Sequence, residues 1–592
     1  MTRAVNTRLA EDWAAALTDT PRDAALELLP GRGGQPTLRA KGMLLHSQYN
    51  PTQEAERLVK AAELEPGVPV VLFGLGLGYV VRALREAGHD VLAVEPEASV
   101  AALALTEGVA RGDFLLCIGA LDAGADAFLA RKPAFLLHAP TAQLHPEAAQ
   151  AAEATLAVAA LRGARLNIAV VGPMYGGSAP MTGYLVDGFR RAGHNAILID
   201  NTPTWELYQR LTGTVNDPHA SGQLGQMFTN LVSEWTYARV AEFNPEICVV
   251  MAQAPVSANF PARLAKSGIL SAFWFVENWR HMRYWDAIAP TYDAFFHIQP
   301  GEFEERLTAC GCRHHAFVQT GCDPELHRPV TLTPEEQAEL GCELSFAGAG
   351  YYNRLQLFKG LTDYKFKIWG VEWRERELAA LVQQGEQRFD NDLFMKIVAA
   401  STINLNLHSS NAHDGVDPRC DAINPRVFEI AAAGGFQLCD PCVGLEKHFD
   451  FETELPVYRN LKELRSRIDQ FLAHPDERAE IARRARERAI TEHSYEQRAR
   501  AMLDHLLRWH GKQLQQRGVR VQRTVDEVAA TLPEGTPLRE YLESLPTGLL
   551  FNQDGINAVL RPAMAGLTEP EKLFNYMREV RNFAETLLRQ SR

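Results

Sequence analysis

Short apolar runs recur along this chain, each closed by a glycine-rich or polar loop and followed by an amphipathic stretch. Val68 to Phe73, Val91 to Val94 and Ala134 to His138 predict buried strands of a parallel sheet. A second series runs through Leu166 to Val171, Ala196 to Asp200, Pro245 to Met251, Leu270 to Val276, Tyr292 to Ile298 and Ala316 to Thr320. A third takes in Leu344 to Ala347, Phe366 to Gly370, Ile403 to His408 and Phe436 to Asp440. Strands alternating with helices in this way predict doubly wound α/β units. Residues 1 to about 66 read instead as helices around a loop at Pro30-Gly31-Arg32-Gly33-Gly34. The alanine-rich run Pro146 to Leu161 reads as a closing helix or a connector, and residues beyond about 510 as mostly helical.

This pattern predicts four parts: an α/β module over 1–163, two larger α/β domains over 164–330 and 331–508, and a helical extension over 509–592. The length of 592 residues agrees, at about 150 residues per domain. Composition adds exclusions. At 46% hydrophobic and 22% charged the chain is ordinary globular protein. A net charge of −13 argues against nucleic acid as a partner, while leaving room for a local basic cleft. No apolar run approaches the ~20 residues that span a bilayer. Met1-Thr2-Arg3-Ala4 lacks the apolar core of a secretory signal. Nine scattered cysteines fit reduced thiols, so a cytoplasmic protein is expected. Cys439-Asp440-Pro441-Cys442 and Cys310-Gly311-Cys312 form close pairs, yet no His/Cys set has the linear spacing of a structural zinc site, and no metal is expected.

Two stretches carry candidate chemistry. Gly74-Leu75-Gly76-Leu77-Gly78 follows a strand, opens a helix and is followed by a second strand ending at Glu95. Such a unit can bind adenosylmethionine or a dinucleotide through Gly74, Gly76, Gly78 and Glu95. The same residues make a tight strand-to-helix turn with no ligand, which is the preferred reading. The second stretch is Asn424-Pro425-Arg426-Val427-Phe428-Glu429, which leads into a short helix of small residues stopped by Gly434-Gly435. A carboxylate there can accept from ribose hydroxyls, and a guanidinium with helix amides can hold phosphate.

The second stretch resembles the donor-binding signature of GT-B glycosyltransferases, in the form carried by the CgeB-like branch of the group 1 transferases. The resemblance covers roughly residues 166–508. It implies two facing Rossmann-like domains with a nucleotide-sugar, a UDP- or GDP-sugar, in the cleft between them and no further cofactor. It also implies that Glu429 holds the donor ribose. The second glutamate of the broader family would fall at Ala422, so the double-glutamate pattern is incomplete. Retention of anomeric configuration is what the group implies. Gly176 and Gly177 lie in the first glycine loop of such an enzyme, and Gly348, Asn353 and Arg354 in the loop and helix opening the donor half. His408, Asn424 and Arg426 complete the expected donor set. Glu277 and His281, at the end of a parallel strand, are the candidates for acid/base work or acceptor contacts.

A further resemblance lies in Leu44-Leu45-His46-Ser47-Gln48-Tyr49-Asn50-Pro51, the Gly-Leu-Gly-Leu-Gly-Tyr turn and Val94-Glu95-Pro96. These look like the front of the motility-associated Maf proteins, which are linked to flagellin glycosylation. That implies a protein acceptor, flagellin or another surface protein, with a surface glycan as the other acceptor class. The expectation is therefore a hexosyltransferase-like enzyme. The alternatives are a methyltransferase built on the first module and a non-catalytic scaffold for surface-protein glycosylation. Docking on the core, a partner or a homo-oligomer is open to the helical extension.

Overall fold

The computed structural model describes residues 7–17, 20, 23–109, 113–121, 123–161, 164–385, 387–516, 524–547, 549, 551, 556–557, 559–560 and 566–590. The chain forms two compact units, one of residues 1–164 with 504–519, the other of 165–503 with 520–592.

In the first unit, Leu115–Ile118, Val91–Glu95, Val70–Phe73 and Ala134–Leu137 pair in that order as a parallel sheet, and Thr7–Leu9 adds an antiparallel edge. The central strands Val70–Phe73 and Val91–Glu95 are buried at every position, as strands covered on both faces must be. Pro146–Leu161 is one helix that packs Ala149, Ala152, Leu156 and Ala159 on one face of the sheet. Its small side chains let another segment approach closely: a Cβ at Gly511 would lie 2.9 Å from that of Ala157, and Lys512 pairs with Glu153 at 2.7 Å.

The wholly helical reading of the first 66 residues is corrected. Helices occupy Ala10–Ala16 and Pro51–Ala61, but Leu26–Pro30, Pro36–Ala40 and Met43–Leu44 form an antiparallel meander between them. Gly31 to Gly34 is the turn of its first hairpin, where Gly34 takes a φ of +81° that favours glycine. The prolines sit at strand ends, where a missing N–H does least harm.

The second unit contains two parallel sheets. Asn195–Ile199, Asn167–Val171, Ile247–Met251, Leu270–Phe275, Ala294–His297 and His315–Phe317 pair in that order. Numbered within the sheet, the order is 2-1-3-4-5-6. The other sheet runs Phe366–Trp369, Cys342–Ala347, Ser401–Asn406, Gln437–Cys439, an order of 2-1-3-4. Both sheets reverse winding direction beside their first strand, which opens a crevice at the carboxyl ends of the strands. After the second sheet the chain returns to the first. Cys322 and Ser494 form a parallel bridge, and a Cβ at Gly188 would meet the Tyr495 carbonyl at 2.4 Å. Helices Val525–Ala529, Pro537–Glu543 and Glu569–Gln590 lie in the extension, with a buried cluster of Val525, Ala529, Leu542 and Ile556.

Candidate active site

A cavity of about 580 Å³ lies where the two switch points face each other. The second sheet supplies Ser345 to Gly348 and Asn404 to Asn406 from the ends of its first and third strands. Opposite stand Gly177, Pro180, Met181 and Tyr184, from the helix Ser178–Arg191 that follows the first strand of the first sheet. Phe389, Asp390, Asn391 and Phe394 close one side, and Asn424 to Arg426 with Glu429 and Ile430 close another.

Glu429 is a nearly buried carboxylate in this wall. It sits on the helix Arg426–Ala432, whose remaining side chains from Val427 to Ala432 pack into the core. It is 5% exposed, and its Oε2 accepts from Arg426 Nη1 at 2.7 Å. Its Oε1 stands 3.9 Å from His327 Nε2. The Arg426 guanidinium lies 3.9 Å from the ring centroid of Phe394, which holds the cation over an apolar face beside the cavity. Burial pushes the Tyr184 hydroxyl above its ordinary range, and the nearby Glu429 carboxylate adds to this. Burial lowers the His327 imidazole, with Glu429 opposing. Asn424 donates to Asn406 Oδ1 at 2.9 Å, and Ser345 donates to Asn404 Oδ1 at 3.0 Å. The wall therefore offers carboxylate, guanidinium, amide and hydroxyl groups around an otherwise apolar cavity, the composition of a ligand site.

The other expected residues divide. Gly348 and Arg354 line the cavity, but both are engaged in structure. Gly348 N–H donates to Trp369, and Gly350 N–H to Val371. The Arg354 guanidinium is buried and donates to the carbonyls of Leu407, at 3.0 and 2.7 Å, and Ala349, at 2.9 Å. Burial lowers its pKa to about 10. It thus fixes the two loops at the switch point. The helix amides at Val427, Phe428 and Glu429 are also taken, by the carbonyls of Asn424 and Pro425. These amides, expected from the sequence to face phosphate, already have backbone acceptors. Asn353 is fully buried and ties the His408 and Gly415 carbonyls to the Ser410 amide. His408 is buried too, with Nδ1 2.7 Å from Asp440 Oδ1. Neither Asn353 nor His408 is among the cavity's lining residues.

Gly177 lines the cavity, and Gly176 turns the loop before it at a φ of +108°. Glu277 and His281 are not brought into the cavity wall. Glu277 is half-buried near Tyr284, and burial lifts its carboxyl to about 7. His281 is exposed. Their loop instead contributes Arg280, which bonds Asp421 at 2.8 and 3.0 Å, while Gln299 donates to the same carboxylate at 2.6 Å. These bonds join the two halves beside the loop that leads to Asn424. Tyr184, Asn391, Asn404 and Asn406 were absent from the sequence-derived set. Two asparagines at alternate positions of an apolar strand are the signal that could have found the latter pair.

In the first unit the glycine turn is filled by its own surroundings. Glu95, fully buried, accepts from the Leu75 and Gly76 amides at 2.9 and 3.4 Å. His46 Nε2 accepts from Leu77 N–H at 2.8 Å, and a Cβ at Gly76 would meet that ring at 2.4 Å. The amides that would receive a ligand already have partners inside the protein.

A family model described as glycosyl transferase-like matches residues 354–504, which include Glu429 and end at the returning helix. An uncharacterized protein of Treponema pallidum (strain Nichols) is 36% identical over 98 residues, covering 14% of this chain and 33% of that protein. The chain thus spans about a third of the length of that relative. Many solved structures resemble part of the chain at low identity, three of them as follows. Sucrose-phosphate synthase from Thermosynechococcus elongatus is 12% identical, covers 57% of this chain and 97% of its own, and has a TM-score of 0.40. A trehalose-6-phosphate protein of E. coli bound with UDP-2-fluoro glucose is 13% identical, covers 58% and 98%, and scores 0.40. Anabaena Alr3699/HepE in complex with UDP and glucose is 10% identical, covers 58% and 99%, and scores 0.40. The two facing Rossmann-like sheets with a returning C-terminal helix are a GT-B arrangement.

Proposed function

We propose that this protein is a glycosyltransferase that binds a nucleotide-sugar, a UDP- or GDP-sugar, in the cavity between the two sheets of its second unit. The observation that carries this reading is the buried Glu429 beside Arg426 on the cavity wall, within the segment that matches the glycosyl transferase-like family. Glu429 would accept from the ribose hydroxyls. Arg426 would turn from Glu429 to the diphosphate and offset the charge that develops as the nucleotide leaves. Arg354 would act at one remove, by holding the Ala349 and Leu407 loops in place. Asn404, Asn406 and Asn424 would orient the donor through amide hydrogen bonds. We read residues 164–330 as the acceptor half, 331–508 as the donor half, 1–163 as an accessory module and 509–592 as an extension. The acceptor would be a protein or surface glycan, flagellin among them, and the transfer would retain anomeric configuration without a catalytic metal.

The test is to incubate the full chain with UDP- and GDP-sugars and candidate acceptors, and to follow nucleoside diphosphate release and acceptor mass. Sugar-dependent release that Arg426→Ala weakens at least tenfold at sub-saturating donor supports the assignment. Absence of turnover and of binding across the panel contradicts it. The anomeric signal of the product by NMR decides retention against inversion.

A further inference from the structure

The cysteines have no zinc-like spacing in the sequence, but folding brings three metal-ligating side chains together. The His408 ring and the Cys420 and Cys442 thiols offer ligand atoms that all lie within 4.8 Å of one another. The two sulfurs are 3.2 Å apart. His408 follows the strand Ser401–Asn406, Cys420 lies in the long loop before the Glu429 helix, and Cys442 follows the strand Gln437–Cys439. The linear separations, 12 residues and then 22, hide the set because two strands and a helix must fold first.

We infer that His408, Cys420 and Cys442 form a binding site for a thiophilic divalent cation, with zinc as the best fit. Four observations support it. First, His408 is 2% exposed and its Nε2 has no hydrogen-bond partner. Either that nitrogen carries a proton that nothing receives, or it presents an unshared lone pair. A buried polar atom left this way is costly, and a metal ion removes the cost. Second, His408 Nδ1 is 2.7 Å from Asp440 Oδ1, which also accepts the His408 backbone N–H at 2.8 Å. A carboxylate on one ring nitrogen is the usual outer partner of a zinc-bound histidine and aims the other nitrogen at the metal. Third, bonds of about 2.3 Å to sulfur and 2.0 Å to nitrogen set tetrahedral ligand atoms about 3.5–3.8 Å apart. The present set needs only small side-chain shifts to reach this. Fourth, two thiolates and an imidazole select zinc over magnesium or calcium, whose ligands are oxygen.

Three protein ligands leave a fourth position for water. The site is not among the residues that line the donor cavity, so it has no part in the proposed transfer. Its effect would be to hold a loop. Cys420 is followed directly by Asp421, the carboxylate that Arg280 and Gln299 grip from the other half, and the Cys420 carbonyl accepts from Val443 N–H at 2.8 Å. A metal here would staple the loop leading to Asn424 and Arg426 onto the strand end at Cys439.

The experiment uses the full chain, purified reduced from zinc-containing medium and dialysed without chelator. Elemental mass spectrometry should find one zinc per chain. After chelator stripping, cobalt(II) titration should give a thiolate-to-cobalt charge-transfer band with the intense visible bands of a tetrahedral ion. Cys420→Ser and Cys442→Ser should each weaken zinc affinity at least tenfold, whereas Cys310→Ser, on a half-buried thiol outside the set, should not. No bound zinc and no charge-transfer band in the wild type would overturn the inference, and that result does not depend on a variant folding. So would a denatured, unreduced protein showing two fewer free thiols than its nine cysteines, with the missing pair mapped to Cys420 and Cys442. That outcome would identify the pair as a disulfide.

Discussion

Arg426 and Glu429 hold one another across the wall of the cavity, Nη1 to Oε2 at 2.7 Å, one turn apart on the same short helix. Arg426 is about a third exposed and Glu429 nearly buried, so solvent reaches the pair at its base while its acid is enclosed. On the proposed reading, a donor diphosphate would draw the guanidinium away and ribose hydroxyls would replace it on the carboxylate. The pair keeps the site charge-balanced before a ligand arrives.

Removing the base should therefore weaken donor binding more than it weakens the fold. Arg426→Ala is expected to lower donor affinity about 10- to 100-fold, the effect of losing a charge-assisted hydrogen bond of roughly 1.5–3 kcal/mol. Arg426→Lys should restore only part of this, because a point charge lacks the guanidinium's planar fork. Calorimetric titration of both variants checks the ordering. Equal affinity in the alanine variant and the wild type would remove Arg426 from the site.

Arg280 and Asp421 should couple the two halves weakly. Arg280 is well exposed, so a double-mutant cycle with Arg280→Ala and Asp421→Ala should give an interaction of about 1 kcal/mol or less in urea unfolding. The kinetic effect should fall on KM more than on kcat, since the pair borders the cleft without lining it.

Glu277 should make stability depend on pH. Burial raises its carboxyl from an ordinary 4.5 to about 7. Between these values the unfolded chain releases the proton while the folded chain keeps it. This group's contribution therefore falls as pH rises from about 4.5 to 7, and then levels off. The full change is no more than about 3 kcal/mol, and less where water reaches the group. Glu277→Gln should flatten that part of the profile relative to wild type. Parallel profiles would show that Glu277 is not held protonated by the fold.

The first unit should not respond to adenosylmethionine. Its turn amides already donate to Glu95 and His46, and an adenosine ligand would have to displace both buried side chains. Differential scanning fluorimetry of the full chain should show no shift with saturating adenosylmethionine. A shift abolished by Glu95→Gln would restore the methyltransferase alternative.

Much of the fold was legible because parallel strands buried on both faces are largely apolar runs closed by glycine or polar residues. Val70–Phe73, Asn167–Val171, Ile247–Met251 and Leu270–Phe275 all read this way. The short helix that carries Glu429 was legible from the Asn424-Pro425-Arg426 entry and the Gly434-Gly435 stop, whereas a donor role for Glu429 came from the resemblance alone. The meander at Leu26–Leu44 was not, because its strands are short, half-exposed and bounded by proline. Nor was the engagement of Arg354, since its partners are backbone carbonyls that leave no trace in residue type. The opposing wall at Met181 and Tyr184 reads as an ordinary amphipathic helix, and only the pairing of the two halves turns it toward a cavity. His408, Cys420 and Cys442 illustrate the same limit, being neighbours in space only after two sheet strands are in place.

The most direct test of the central claim is isothermal titration of UDP- and GDP-sugars into the wild type and Glu429→Ala, with circular dichroism to confirm that both are folded. The account predicts that one donor class binds the wild type and that Glu429→Ala binds it at least tenfold more weakly. Binding of equal strength in a folded Glu429→Ala variant would show that the donor does not use this carboxylate, and the proposed site would be wrong.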